Sequence, residues 1–333
     1  MFYFLATVIV GTTLIHNLLA SDDDSFYYCT TFCAGFPSCF LWFEEMGKKL
    51  FANVIEKTRP MDKMPLHFDL PQEDECATNL LSHGRSYYMP LWFMRQEPQF
   101  RKYLDFSEED GGTEQDEEEW TRSFIHLMKK LTLRNNMRME RERSSSSSSS
   151  SIKKRRLLVK SPIHTARVPL LRKLFPKARF IYVHRNPYEV FQSAAHMANT
   201  AYWYCSLNCP TNEQIIEFIL WQFHSMDKKY YKAFKDSEKH DHDIMEIAYT
   251  DLCGNNGKIK QMEQLKNIYH HINVTWTEKL EAHFKNETKD LQGYQPNTHL
   301  KLSDDMRYEI EKRWIDYFQR YEYDIIYHNG YFD

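Results

Sequence analysis

Leu157-Leu158-Val159-Lys160-Ser161-Pro162-Ile163-His164-Thr165 and, further on, Ala178-Arg179-Phe180-Ile181-Tyr182-Val183-His184-Arg185-Asn186-Pro187 decide how this chain folds. Each begins as a short apolar run and ends in polar residues and a proline. Such runs read as strands buried on both faces. Arg167 to Phe175 follows the first as a helix, stopped by Pro176, and Tyr188 to Met197 follows the second. Strand, short helix, strand, helix within about 40 residues is the pattern of a parallel α/β sheet. Both polar turns then lie beyond the carboxyl ends of strands, where open sheets bind ligands.

Working outward, Phe2 to Val10 reads as a β-strand, and Gly11-Thr12-Thr13 opens an apolar helix through Ala20. The apolar run is too short for a bilayer, which takes about 20 residues, and it lacks the basic start of a signal peptide. Residues 44–57 and Gln72 to Ser82 look helical. After the central block, Gln214 to Tyr231, Gln261 to His271, Thr277 to Phe284 and Asp304 to Phe318 predict a largely helical C-terminal region. Two segments interrupt the pattern. Residues 107–119 carry eight acids around Gly111-Gly112 and are expected as a solvated loop, and Trp120 to Leu133 is expected as an amphipathic helix. Eight serines, Ser144 to Ser151, with Arg141, Arg143 and Lys153 to Arg156 beside them, predict a disordered insertion over 141–156. The expectation is a single domain over residues 1–333.

Composition narrows the function. The 46 acidic and 43 basic residues leave a net charge of −3, which gives no global footprint for nucleic acid. Seven cysteines form no compact CxxC…CxxC set, so no metal site is expected. Cys205 and Cys209 could form a local disulfide in a secretory protein, and Asn273-Val274-Thr275 and Asn286-Glu287-Thr288 match the glycosylation sequon.

Several residues could carry chemistry. Arg185 ends a strand, and Ser193 lies eight residues on in the next helix, so a guanidinium fork and a hydroxyl can converge on a phosphate. Gly11, Thr12 and Thr13 offer backbone N–H groups and two hydroxyls to an anion at a helix start. Lys160 can neutralise charge on a transferring group. His164 can accept a proton from an attacking hydroxyl. His67, Glu44 and Glu45 are alternative bases. No Walker A lysine is present, and no magnesium-binding acid is evident, which argues against a nucleotide-dependent kinase.

Leu158-Val-Lys-Ser-Pro-Ile-His-Thr-Ala-Arg167 with Phe175-Pro-Lys-Ala-Arg-Phe-Ile-Tyr-Val-His-Arg-Asn-Pro-Tyr-Glu-Val-Phe-Gln-Ser193 resembles the sulfotransferase family that uses 3'-phosphoadenosine-5'-phosphosulfate, PAPS. Gly11 to Leu19 resembles the second half of that family's first phosphosulfate loop. Pro71-Gln-Glu-Asp-Glu75, Tyr103 to Phe106 and Tyr321-Glu-Tyr323 resemble further landmarks in the same order. The resemblance implies a P-loop-kinase-like α/β fold of three layers around a central parallel sheet. It implies PAPS as co-substrate with no metal. Thr12 and Thr13 would contact the 5'-phosphate side, and Arg185 and Ser193 the 3'-phosphate. Lys160 matches the family lysine. The histidine slot two residues on holds Pro162, so His164, a glutamate at Glu44 or Glu45, or His67 would serve as base.

The first loop departs from the family pattern. Thr7-Val8-Ile9-Val10 stands where a proline, a basic residue and a serine are usual. An intact Gly11 to Leu19 beside an altered upstream half favours a replaced gene-model start, which could also have removed a membrane anchor. The other reading is a non-catalytic sulfotransferase-like protein. The acceptor expected is a carbohydrate or a small hydroxylated molecule, with residues 26–43 and 199–210 as its pocket. Golgi lumen and cytoplasm are both open as compartments.

Overall fold

The computed structural model describes residues 2–7, 12–59, 64–145, 154–253, 257–290 and 301–326. Five parallel strands form one sheet: β1 (Phe2–Thr7), β2 (Phe26–Tyr28), β3 (Arg156–Lys160), β4 (Arg179–His184) and β5 (Ile244–Ala248), in the order β2-β3-β1-β4-β5. β1 lies between β3 and β4, with Leu5 opposite Lys160 and Thr7 opposite Val183. The chain connections diverge at this central strand. The carboxyl ends of β1, β3 and β4 therefore surround the crevice where doubly wound sheets take ligands.

Side chains alternate across the sheet and build two cores. Leu157, Val159, Phe180 and Tyr182 face one layer, packed with Trp120, Phe124, Phe223 and Trp314. Leu158, Ile181 and Val183 face the other, packed with Ile15, Leu265, Ile268 and Tyr269. The helix Thr12–Ala20 and the helix Gly257–His271 contribute to the second layer, and the helices Glu114–Ser145, Asn212–Lys235 and Asp304–Arg320 to the first. The result is the three-layer α/β arrangement with a helical C-terminal region. Burial on both faces is why these strands are apolar throughout rather than alternating.

Two segments differ from the pattern expected of the sequence. The acidic stretch 107–119 is a loop only in its first half: Glu108–Asp110 form a short 3-10 turn, and a helix begins at Glu114. Glu114, Asp116 and Glu117 then sit in its first turn, where the helix dipole favours negative charge. The same helix continues through Arg141 and Arg143 to Ser145, helped by an Arg138–Glu142 pair one turn apart, so the start of the 141–156 segment is helical and its end, Arg156, begins β3. Residues 146–153, most of the serine run, lie outside the described residues. At the edge of the sheet, β5 pairs beside β4.

Candidate active site

The β3 strand delivers Lys160 to the crevice with its side chain only 4% exposed. A charge that deep needs a partner. Its Nζ donates to Oε1 of Glu73, a residue at the start of the helix Asp74–Leu81. The Glu73 carboxylate also accepts from the Tyr88 hydroxyl. Burial would push this carboxyl up, but Lys160, Tyr88 and the charge of Arg59 outweigh it and hold it below the usual range. Glu73 is therefore an ionised acceptor, one quarter exposed. Burial, with Glu73's charge behind it, raises the Tyr202 phenol.

A rigid base lies beneath. Ser161 Oγ accepts the Glu75 N–H at 3.0 Å and donates to Asp74 Oδ1 at 3.1 Å. His164 Nε2 meets Asp74 Oδ2 at 2.7 Å, with both side chains essentially sealed from solvent. Arg167 Nη1 donates to Glu75 Oε2 at 2.8 Å, and Trp120 Nε1 and Ser86 Oγ donate to the same carboxylate at 3.2 Å and 2.5 Å. Asp74, Glu75 and His164 have ligand atoms within 4.8 Å of one another, a spacing a cation could use. The Arg167 guanidinium already supplies positive charge there, stacked 4.3 Å from the Trp120 ring. This network locks the helix Asp74–Leu81 to the end of β3 and so fixes Glu73 against Lys160.

The other strand end presents Arg185. Its side chain is 11% exposed, its Nε donates to Glu189 Oε2 at 2.6 Å, and its guanidinium lies 4.3 Å over the Tyr249 ring. The Arg185 backbone N–H donates to the Tyr317 hydroxyl at 3.0 Å, which ties the turn to the C-terminal helix. Ser193 is half-buried on the helix Pro187–Met197, one turn past Glu189 on the same face. His184, just before Arg185, stacks on Tyr321 at 4.1 Å and bonds Tyr323 through Nδ1 at 2.9 Å. Burial, against a weaker pull from Asp251, lowers it to about 4.

The remaining expected residues are dispersed. Gly11 lies outside the described residues. Thr12 begins the first helix, and Thr13, half-buried in its first turn, accepts a hydrogen bond from Arg59 Nη1 at 3.4 Å. His164 is fully buried between Trp120 and Phe124, with Asp74 on its Nε2, and it does not face the crevice. Glu44 is clamped by Arg134 at 2.6 and 2.7 Å and by Lys48 at 2.6 Å. Burial would raise this carboxyl, but those two cations hold it down. Glu45 is exposed and paired with Arg141. His67 is exposed, its Nδ1 accepting the Asp69 N–H at 3.3 Å. Of the expected pocket segments, Phe26, Phe32, Cys33 and Phe40 are core, whereas Tyr204 and Leu207 are exposed. Cys205 and Cys209 stand as separate thiols.

The sequence pattern assigns no role to Glu73, Tyr88 or Arg59. Glu73 lay inside a recognised landmark, Pro71 to Glu75, and an acid at a helix start facing a strand-end lysine was the available signal. Tyr88 and Arg59 had none.

The model of the sulfotransferase family matches residues 10–278. This chain belongs to the sulfotransferase family. The sulfotransferase is similar, at 26% identity over 328 residues, to the omega-hydroxy-beta-dihydromenaquinone-9 sulfotransferase Stf3 of Mycobacterium bovis and to Stf3 of Mycobacterium tuberculosis. Each alignment covers 94% of this chain and 73% of the relative. Among solved structures, sulfotransferase STF9 from Mycobacterium avium superposes with a TM-score of 0.63 at 15% identity, over 97% of this chain and 77% of that one. STF1 from Mycobacterium tuberculosis gives 0.59 at 13%, over 95% and 76%. These structures share the P-loop-like α/β fold. Among the described residues, no helix of this sulfotransferase is long and apolar enough to cross a membrane.

Proposed function

We propose that this sulfotransferase takes its sulfuryl group from PAPS and transfers it to a hydroxyl, with Glu73 as general base. The Lys160–Glu73 pair at the end of β3 carries this reading. The acceptor oxygen attacks sulfur in line with the bridging phosphate oxygen. The new bond is oxygen to sulfur, and the broken one is sulfur to the bridging oxygen, which leaves on 3'-phosphoadenosine-5'-phosphate. The acceptor proton passes to Glu73. As it does, the lysine's positive charge is released from Glu73 and can stabilise the departing oxygen, an interaction strongest in the transition state. Thr12 and Thr13 serve the 5' side of the donor, and Arg185 and Ser193 its 3'-phosphate.

For the acceptor, a hydroxylated apolar molecule is preferred to a carbohydrate. Stf3 is named for a hydroxylated menaquinone-type lipid. In this chain Tyr204 and Leu207 stand exposed on the segment that follows Tyr202, and Leu207 is anchored to Trp92 by a backbone bond of 2.8 Å. The test is transfer from sulfur-labelled PAPS to long-chain alcohols and to sugars, with the unaltered chain and Glu73→Gln. Labelled alcohol made only by the unaltered chain supports the reading. Equal rates in Glu73→Gln remove Glu73 from the chemistry, and tight nucleotide binding without any transfer would favour a non-catalytic protein.

A further inference from the structure

Arg185 stands just past the end of β4, and only Asn186 separates it from the helix Pro187–Met197. The last ladder pair of β4 joins His184 to Ala248. The backbone N–H and carbonyl of Arg185 lie beyond that ladder and need partners of their own, because an unpaired main-chain group in a part-buried turn costs free energy. One side chain supplies both. The Tyr317 hydroxyl accepts the Arg185 N–H at 3.0 Å and donates to the Arg185 carbonyl at 3.2 Å.

Tyr317 lies 132 residues further along the chain, near the end of the helix Asp304–Arg320. That helix is kinked at Trp314, whose backbone (φ −120°, ψ 21°) is not helical, and Trp314 Nε1 donates to the Leu220 carbonyl at 3.0 Å. Tyr317 follows the kink, 1% exposed, with its ring edge-on to Phe223 at 4.9 Å and to Tyr321 at 4.8 Å. A phenylalanine would fill the same ring site. The hydroxyl is the addition, and a buried hydroxyl costs free energy unless it is bonded. The two hydrogen bonds it makes among the described residues both go to Arg185.

A guanidinium sits at the end of a long side chain. A small rotation of the Arg185 backbone therefore displaces it by much more than the backbone itself moves, and a misplacement of about 1 Å can cost up to about 10²-fold. Glu189 meets the side chain at Nε, whereas Tyr317 fixes the main chain from which that side chain springs. Tyr323 braces the residue before, through its bond of 2.9 Å to His184 Nδ1.

We propose that Tyr317 is a positioning residue for donor binding: its hydroxyl sets the backbone of Arg185 and, through it, the guanidinium that takes the 3'-phosphate. The assignment rests on the PAPS reading above. It makes the C-terminal helix a part of donor recognition that acts through Arg185.

Calorimetry with 3'-phosphoadenosine-5'-phosphate on the full chain tests this in four proteins: unaltered, Tyr317→Phe, Arg185→Ala and the double variant. Tyr317→Phe keeps the ring and is expected to weaken binding about three- to tenfold, the weight of a neutral hydrogen bond or two. In the Arg185→Ala background the same substitution should change affinity by less than about twofold, because the side chain it positions is gone. Tyr230→Phe is the matched control. Its hydroxyl belongs to an equally buried ring and bonds Glu246 Oε1 at 2.7 Å, so its loss costs comparable stability without touching Arg185. It should bind within about twofold of the unaltered chain. If Tyr317→Phe is partly unfolded at room temperature, the whole set is measured in the cold, below its transition. Unchanged affinity in Tyr317→Phe overturns the assignment and spares the PAPS reading. A loss of the same size with and without the Arg185 side chain, or an equal loss in Tyr230→Phe, overturns it as well, since either indicates general loosening. If the unaltered chain does not bind the bisphosphate, the PAPS reading fails and the role of Tyr317 fails with it.

Discussion

Lys160 and Glu73 meet across the end of β3, a lysine almost wholly buried against a carboxylate one quarter exposed. The pair joins a strand end to a helix start 87 residues earlier in the chain. It puts an ionised proton acceptor and a cation in the crevice at once. Glu73→Gln keeps the shape and a hydrogen-bond acceptor but cannot take the proton. We expect its kcat to fall by about 10²–10⁴, the usual contribution of a general base. Its dissociation constant for 3'-phosphoadenosine-5'-phosphate should change only a few-fold. Stopped-time sulfation assays alongside calorimetry read the two effects separately.

Arg185 is held by Glu189. A 3'-phosphate would compete for the same guanidinium. Arg185→Ala is expected to lose about tenfold or more in bisphosphate affinity. Glu189→Gln should move affinity the other way, by a small factor, because it frees the fork and removes a nearby negative charge. Weaker binding in Glu189→Gln would show that the carboxylate positions Arg185 rather than competing for it.

The Asp74–His164 and Glu75–Arg167 pairs are buried and hydrogen-bonded on several sides. Removing one partner strands the other's charge, which typically costs about 3–5 kcal/mol. Arg167→Ala and Glu75→Ala should therefore unfold well below the unaltered chain in temperature or urea. His164→Asn should lose activity only to the extent that it loses stability. A His164→Asn protein with an unchanged melting temperature but no turnover would make His164 the base instead of Glu73.

Burial lowers His184 to about 4, well below a free imidazole. The unfolded chain takes up this proton first as pH falls, since its imidazole titrates near 6.5. The stability linked to His184 is therefore complete above about 6.5 and is lost as pH falls toward 4. His184→Phe, which can still stack on Tyr321, should show a shallower drop in melting temperature across that window. Parallel curves for the two proteins would remove His184 from the acid sensitivity.

Much of this was readable from the chain itself. β3, β4 and the helices after them follow from apolar runs closed by proline and polar residues, because strands covered on both faces leave no room for polar alternation. Arg185 at a strand end and Ser193 eight residues on follow from the same run. The sheet order did not, since neighbours such as β1 and β4 are far apart in sequence and pair only through tertiary packing. The base proposed here did not either. His164 carries the right chemistry on paper, yet the 3-10 turn Pro162–Thr165 turns it into the core against Asp74. Glu73 was one of three acids in a row, and only the Ser161 contacts with Asp74 and Glu75 decide which of the three is left facing Lys160. Local pattern determines which segments are strands and helices, because that depends on neighbours along the chain. Which charge meets which is decided by the fold, because desolvation and pairing depend on residues that the sequence keeps far apart.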